Sequence, residues 1–569
     1  MALIDCGDGV RLERGVRCRI SDGVELVSDH YYPPGDGPFP TLLMRQPYGR
    51  DIASTVVYAH PVWFARHGYH VAIQDVRGRG DSEGDFYPFR NERKDGAETI
   101  AWLREHPRCN GRIGMYGFSY QGLTQLLAAA EQPEGLTCIA PGMTACDLYH
   151  GWFYRNGALR LSSTLAWGIQ MLRADARRRG LREASAALET AWNNLRAQGN
   201  FVPYAQHPAL LAEGLPEYVR DWVTNDRPGE YWSTLDVSGA LDRIAVPALH
   251  VSGWFDTYLN GSVDGFLALT EHAATEFTRE HQYLIAGPWM HIPWGDMIGG
   301  QNLGPEALLD TDAVLLRWFN HWLKNSGEFA KEPKIRHFAL GENRWHSAEL
   351  WPERSTVDLY LQSEGRANSR KGDGRLAERS PQTDEPRDIF VYDPEVPVLA
   401  PGGPQALSGP LDQADTELGN NLLVYTGEAL RERLHVFGHP RIALYAATSA
   451  PSADFTAKLV RVLPDGRGQF VCMGVARSSY LFAGTNYEAD VVQRWKFDLD
   501  PISCVFFPGE RLRLEIASSA FPLYDRNSST AVAASQASHW NWARSTQQVL
   551  HSAKHPSALH LPVAEESAR

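Results

Sequence analysis

The stretch RIGMYGFSYQGLTQLLAAA (112–130) places a serine between an apolar, strand-like run and a helical pattern. Leu123, Leu126, Leu127 and Ala130 recur at i, i+3, i+4 and i+7, as on one face of a helix. A strand that turns into a helix through Gly-x-Ser exposes the serine hydroxyl at the tip of the turn, which is the context a G-x-S-x-G nucleophile elbow requires. One detail departs from that motif. Gln121 stands where its second glycine belongs, and the glycine is delayed to Gly122.

The surrounding texture decides what such a turn is built into. Short apolar runs alternate with helical patterns through the first third: PTLLMRQPYGR (40–50), HVAIQDVRG (70–78), ERKDGAETIAWLREH (92–106) and RIGMYG (112–117). That alternation predicts βαβ units and a mostly parallel sheet. From about 150 to 240 strand-like runs give way to helical spacing, with Leu165, Ile169 and Leu172 on one helix and Leu188, Trp192 and Leu195 on another. Strands return at VPALHVSGWFD (246–256) and QYLIAGPWMH (282–291), and LLRWFNHWLK (315–324) reads as a closing helix. A helical insertion covering an α/β core is the simplest account. Beyond about 352 apolar and polar residues alternate between Gly, Pro and Asp turns, the pattern of a β-sandwich or jelly roll. Residues 364–389 are polar and read as loops.

With 569 residues, two to four domains are expected. A net charge of −13 argues against nucleic acid as the main partner. No run of eighteen apolar residues and no signal-like start is present, so neither a membrane span nor secretion is expected. The seven scattered cysteines form no zinc-like cluster and read as reduced thiols of a cytoplasmic protein. No metal or other cofactor is expected.

A serine attacks a carbonyl only if an imidazole takes its proton and a carboxylate holds that imidazole in the correct tautomer. The chain order Ser, Asp, His with each residue after a strand selects Ser119, Asp256 and His291. Asp264 and Asp242 compete with Asp256; His250 and His281 compete with His291, although His250 lies inside an apolar run and reads as a packed core histidine. The oxyanion of acyl transfer needs two aimed donors. One is the backbone N–H of Tyr120, the residue after the nucleophile. The loop RQPYGR lacks a glycine run but offers the phenol of Tyr48. GRGDSEG (78–84) has the glycine spacing of neither a dinucleotide loop nor a P-loop and reads as a tight turn.

Taken in order, GFSYQG, GWFD and GPWMH resemble the serine hydrolases typified by cocaine esterase, a superfamily that also holds α-amino acid ester hydrolases, glutaryl β-lactam acylases and X-prolyl dipeptidyl peptidases. Its elbow is G-x-S-Y-x-G, so the delayed glycine follows the family pattern. RQPYGR, DVRGRGDSEGDF, SADFTAKLVRVLPDG (452–466) and FFPGERLRLEIASSAFPLYDRN (506–527) extend the resemblance over nearly the whole chain. It implies an α/β-hydrolase core (1–145 and 241–351), a helical cap (146–240) and a C-terminal all-β jelly-roll domain (352–569). It further implies Ser119 as nucleophile, His291 as base, Asp256 as its orienting partner, and Tyr48 O–H with Tyr120 N–H as oxyanion donors.

In amino acid ester hydrolases of this superfamily, acidic residues two and three positions past the triad Asp pair with an α-ammonium. Here those positions are Tyr258 and Leu259. Trp152, Phe153 and Trp167 from the cap, with Tyr258, predict an aromatic-lined pocket. The expectation is a carboxylic-ester hydrolase acting on a small ester or amide with an uncharged, aromatic or alicyclic acyl group. The alternatives are an Xaa-Pro dipeptidyl peptidase, an amidase or a β-lactam acylase of the same fold, and a binding protein with an inert hydrolase domain. A homodimer is compatible with the sequence.

Overall fold

The computed structural model describes residues 3–52, 55–352, 356–404, 408–485 and 487–564. Its first sheet has eleven strands. They are β1 (Ile4–Asp5), β2 (Arg11–Arg19), β3 (Glu25–Tyr32), β4 (Phe39–Gln46), β5 (His70–Asp75), β6 (Cys109–Phe118), β7 (Leu136–Gly142), β8 (Ala248–Phe255), β9 (Gln282–Met290), β10 (Ile335–Ala339) and β11 (Arg344–Ala348). Their spatial order is β1-β2-β3-β5-β4-β6-β7-β8-β9-β10-β11. Pairings from β5 across to β10 are parallel, while those at both ends are antiparallel.

Parallel strands are covered on both faces, which is why β5 and β8 are buried at every position. On one face Ile113, Met115 and Ile139 share an apolar cluster with Leu103 of α2 (Glu92–Arg104) and Leu126 of α3 (Tyr120–Ala129). On the other, Val71, Ile73 and Tyr116 pack with Phe64 of α1 (Pro61–Arg66) and Phe319 of the helix Thr311–Lys324. Gly114 sits beneath that last helix, and a Cβ there would lie 2.9 Å from a Phe319 ring carbon.

Between β7 and β8 the chain forms the cap: α4 (Leu161–Arg178), α5 (Arg182–Asn193) and α6 (Tyr218–Thr224), with shorter turns between. Two details differ from the sequence expectation. A two-residue hairpin, Tyr154–Arg155 against Ala158–Leu159, precedes α4. The second cap helix stops before Leu195, because Asn194 adopts φ −135° and ψ 50° and Leu195–Gln198 forms a separate turn.

The C-terminal part is β-rich, with a second eleven-stranded sheet whose pairings are antiparallel except Arg375–Ala377 against Leu423–Gly427. That short strand lies in the region expected to be loop. Trp254 and Leu284 of the first sheet share one apolar cluster with Leu359, Phe455 and Leu514 of the second. The backbone of Leu161, at the start of α4, donates to Leu523 O at 3.0 Å. The β domain is thus packed against both the core and the base of the cap.

Candidate active site

Ser119 joins β6 to α3 with φ 61° and ψ −126°. A non-glycine residue in this region costs about 1–3 kcal/mol and persists only where its surroundings over-determine it. Several contacts do so. Ser119 N–H donates to Gly142 O at 2.8 Å, and Ser119 O accepts from Gly122 N–H at 2.9 Å. Gly117 has φ 132°, which suits glycine. The delayed glycine has its own reason: a Cβ on Gly122 would stand 2.7 Å from Thr144 Cβ and 2.8 Å from Gly142 O, so α3 can approach β7 only with glycine there.

Gln121, where a second glycine was expected, is fully buried and works through its side chain. Its Oε1 accepts from Phe118 N–H at 3.2 Å and its Nε2 donates to Gln46 Oε1 at 3.2 Å. Gln46 Nε2 in turn donates to Gly49 O at 2.9 Å. The elbow is therefore tied to the loop that carries Tyr48. The Tyr120 ring anchors the same turn from behind: its hydroxyl donates to Glu92 Oε1 at 2.8 Å and accepts from Phe89 N–H at 3.1 Å, while Glu92 pairs with Arg45 at 2.6 Å. This buried Arg–Glu–Tyr set escaped the sequence reading; its only trace was a charged Arg45 inside an apolar strand.

His291 follows β9 and Asp256 follows β8. Both neighbouring strand ends point at the elbow, and the three side chains meet. His291 Nδ1–H donates to Asp256 Oδ1 at 2.6 Å, and Ser119 Oγ–H donates to His291 Nε2 at 3.1 Å. Asp256 Oδ2 accepts from Tyr258 N–H at 2.9 Å, so both carboxylate oxygens are engaged. The Asp256 side chain is 0% exposed and that of His291 29%, so the carboxylate is sealed while the imidazole is reachable. The competitors lie elsewhere. Asp264 faces His439 at 3.9 Å, Asp242 is exposed, and His281 bonds Phe277 O. His250 is buried against Gln282, and burial pushes its pKa down to about 4.

The Tyr48 phenol has Ser119 and Trp167 as polar neighbours. Burial pushes its pKa up to about 12, against their opposing pull, so it keeps its proton and remains a donor. Tyr120 N–H, the first of α3, has no acceptor among the described residues. Trp152 stacks on Tyr258 with centroids 4.0 Å apart, and Tyr258 stands edge-on to His291 at 5.1 Å. Trp167 lies 5.6 Å from Trp152. Phe153 sits one layer back, between Trp222 at 4.7 Å and Trp232 at 5.1 Å. Two further rings reach His291: Phe118 at 5.3 Å, and Trp294, whose Nε1–H donates to His291 O at 3.1 Å. Phe118 lay inside the elbow motif and Trp294 three residues past the histidine.

The arrangement can deprotonate a serine hydroxyl and receive an oxyanion beside it. Residues 22–293 match the family described as X-Pro dipeptidyl-peptidase (S15 family), and residues 327–560 match the X-Pro dipeptidyl-peptidase C-terminal non-catalytic domain. A cocaine esterase of Rhodococcus sp. (strain MB1 Bresler) is 33% identical over 564 residues, covering 95% of this chain and 96% of that protein. Among solved structures, an aminopeptidase from a marine sediment Thaumarchaeota archaeon superposes with a TM-score of 0.78 at 25% identity, covering 97% of each chain. An α-amino acid ester hydrolase superposes with a TM-score of 0.78 at 23% identity, covering 99% of this chain and 98% of its own.

Proposed function

The chain belongs to the S15 family of serine hydrolases, and we propose that it cleaves carboxylic esters through an acyl-enzyme formed on Ser119. In this reading His291 Nε2 takes the hydroxyl proton as Ser119 Oγ attacks the ester carbonyl. The same imidazolium then protonates the departing alcohol, and a second cycle delivers water to the acyl-enzyme. Asp256 holds Nδ1–H in place and stabilises the imidazolium. Tyr48 O–H and Tyr120 N–H donate to the oxyanion, where each such donor is worth about 2.7–4 kcal/mol. The rings of Trp152, Trp167 and Tyr258 suit an aromatic or alicyclic acyl group, with Phe153 supporting them from behind.

The observation that carries the proposal is the continuous chain Asp256 Oδ1–His291–Ser119 Oγ, with spacings of 2.6 and 3.1 Å. It is tested by 4-nitrophenyl ester turnover in wild type and Ser119→Ala. A loss of at least ~10³-fold is expected, and full activity in the variant refutes the assignment.

Cleavage of Xaa-Pro amides is the second reading, favoured by the family descriptions of both segments. Against it, Tyr258 and Leu259 supply no carboxylate for a substrate ammonium. A panel of Xaa-Pro amides beside aryl esters separates the two, and efficient amide cleavage without ester turnover reverses the ranking.

A further inference from the structure

We propose that the cavity between the cap and the β domain is a second small-molecule site, that it takes a free amino acid in its zwitterionic form, and that its occupation is felt at the acyl pocket.

The cavity has a volume of about 350 Å³, and its wall includes Asp226 and Arg227 of the cap and Pro451, Arg477, Tyr480 and Val532 of the β domain. None of the residues placed around Ser119 belongs to it. Its charged groups are of two kinds. Arg477 is engaged, by Asp454 at 2.8 Å and Asp525 at 2.9 Å. Asp226 and Arg227 are not: among the described residues neither the carboxylate nor the guanidinium has a hydrogen-bond or ion-pair partner, although the backbone carbonyl of Asp226 accepts from Tyr149 Oη–H. Asp226 is half-buried, so its carboxylate is partly withdrawn from water. Two unpaired groups of opposite sign in one wall fit a ligand that carries both an ammonium and a carboxylate, the first donating to Asp226 and the second accepting from the fork of Arg227. A purely anionic ligand would meet Asp226 and the surplus negative charge of the Asp454–Arg477–Asp525 set. A purely cationic one would be opposed by Arg227. Pro451 and Val532 offer apolar surface to a side chain.

Both sides of this wall are fastened to the segment that carries Trp152. Residues Tyr149–Phe153 form a single π-helical turn, a geometry found frequently at functional sites. Tyr149 Oη–H holds Asp226 O at 2.8 Å. Tyr480 Oη–H donates to His150 Nε2 at 2.7 Å, and His150 Nδ1–H donates to Asp147 at 2.6 Å. Two residues further on, Trp152 stacks on Tyr258 at 4.0 Å, and Tyr258 stands 5.1 Å from His291. A ligand that moves Asp226 and Tyr480 relative to one another therefore acts through direct hydrogen bonds on the turn that positions an acyl-pocket ring.

Binding is measured by calorimetry on Ser119→Ala, with L-alanine, L-proline and L-phenylalanine each offered free, N-acetylated and as the amide. At least one free amino acid should bind, and capping either end should weaken it about 10-fold or more. Asp226→Asn should remove the advantage of the free form over the N-acetyl form, and Arg227→Gln its advantage over the amide. A variant that weakens all three forms alike has only a structural role and overturns the proposal. So does the absence of binding by every free amino acid, or an amide that binds better than its free acid. In wild type closed at Ser119 by a phosphonate, binding should persist; its loss would put the ligand in the acyl pocket and overturn the second site. Transmission is read as KM for a 4-nitrophenyl ester, which saturating ligand should shift about 5-fold or more. Tyr480→Phe keeps the ring without the hydroxyl, so it should retain binding and lose most of that shift; a bound ligand that leaves the wild-type KM unchanged refutes the transmission. Only this last readout rests on the esterase reading. Absent ester turnover strikes that reading and leaves the binding result standing.

Discussion

Replacing Gln121 by leucine isolates the link between the elbow and the Tyr48 loop. Leucine is of similar volume and fills the site, but removes the acceptor for Phe118 N–H and the donor to Gln46 Oε1, both at 3.2 Å. Each buried group left without its partner costs about 1–3 kcal/mol, and the lengths of these bonds favour the lower end, so a total of roughly 2–4 kcal/mol is expected. Gln46 also loses the contact that orients its Nε2 toward Gly49 O, next to Tyr48. A misdirected Tyr48 forfeits part of the 2.7–4 kcal/mol of an oxyanion donor, so kcat should fall about 10- to 100-fold with KM changed only a few-fold. Stopped-time ester assays on Gln121→Leu, Tyr48→Phe and the double variant form a cycle. Because Gln121 acts through Tyr48, the double variant should be little worse than Tyr48→Phe alone. Multiplicative losses would refute that coupling, and so would an unchanged kcat with an unchanged thermal-inactivation rate. Gln121→Glu should behave like leucine, since Gln46 can meet a carboxylate only by turning its amide away from Gly49.

Tyr48→Phe itself should lower kcat about 10²–10³-fold. With the phenol pKa pushed up to about 12 by burial, wild-type activity should show no loss from Tyr48 ionisation at any pH below about 10. Gly122→Ala drives a Cβ to 2.8 Å from Gly142 O, a backbone atom that cannot yield, and should cost about 1–3 kcal/mol, read as faster thermal inactivation; a Thr144→Ser background should not rescue it. In the β domain, burial acts to lower the pKa of His551, but Asp388 at 2.9 Å and Glu385 at 3.0 Å outweigh it and hold the imidazole above its ordinary value. The folded state thus binds this proton more tightly than the unfolded chain. The stabilisation is complete below about pH 6.5 and disappears as pH rises through the folded value. The unfolding midpoint of wild type relative to His551→Gln should therefore narrow with rising pH, and a pH-independent difference would contradict the assignment.

Local pattern made much of this protein legible. Strands buried on both faces write themselves as continuous apolar runs, and the helix after Ser119 keeps its period, so the α/β core, the cap and the β-rich C-terminal part follow from spacing alone. Ser119, Asp256 and His291 were accessible for the same reason: each follows a strand, and parallel strands bring their C-terminal ends to one edge of the sheet. Helix ends were less accessible, as at Asn194, because a break depends on one residue's dihedrals and not on a period.

Contacts between segments remote in sequence came only from the tertiary structure. Gln46 and Gln121 read as unremarkable polar residues until the fold pairs them across 75 positions. Gly122 looked misplaced until the end of β7 and the turn after it supplied Gly142 O and Thr144 as the surface that excludes a side chain. Arg160 gave no signal at all, since an arginine at a helix start is ordinarily solvated. Among the described residues its enclosed guanidinium has no hydrogen-bond partner, with the Tyr524 ring 6.0 Å from Cζ. Periodicity encodes which face of an element is buried; it cannot encode which polar groups that burial leaves together or alone.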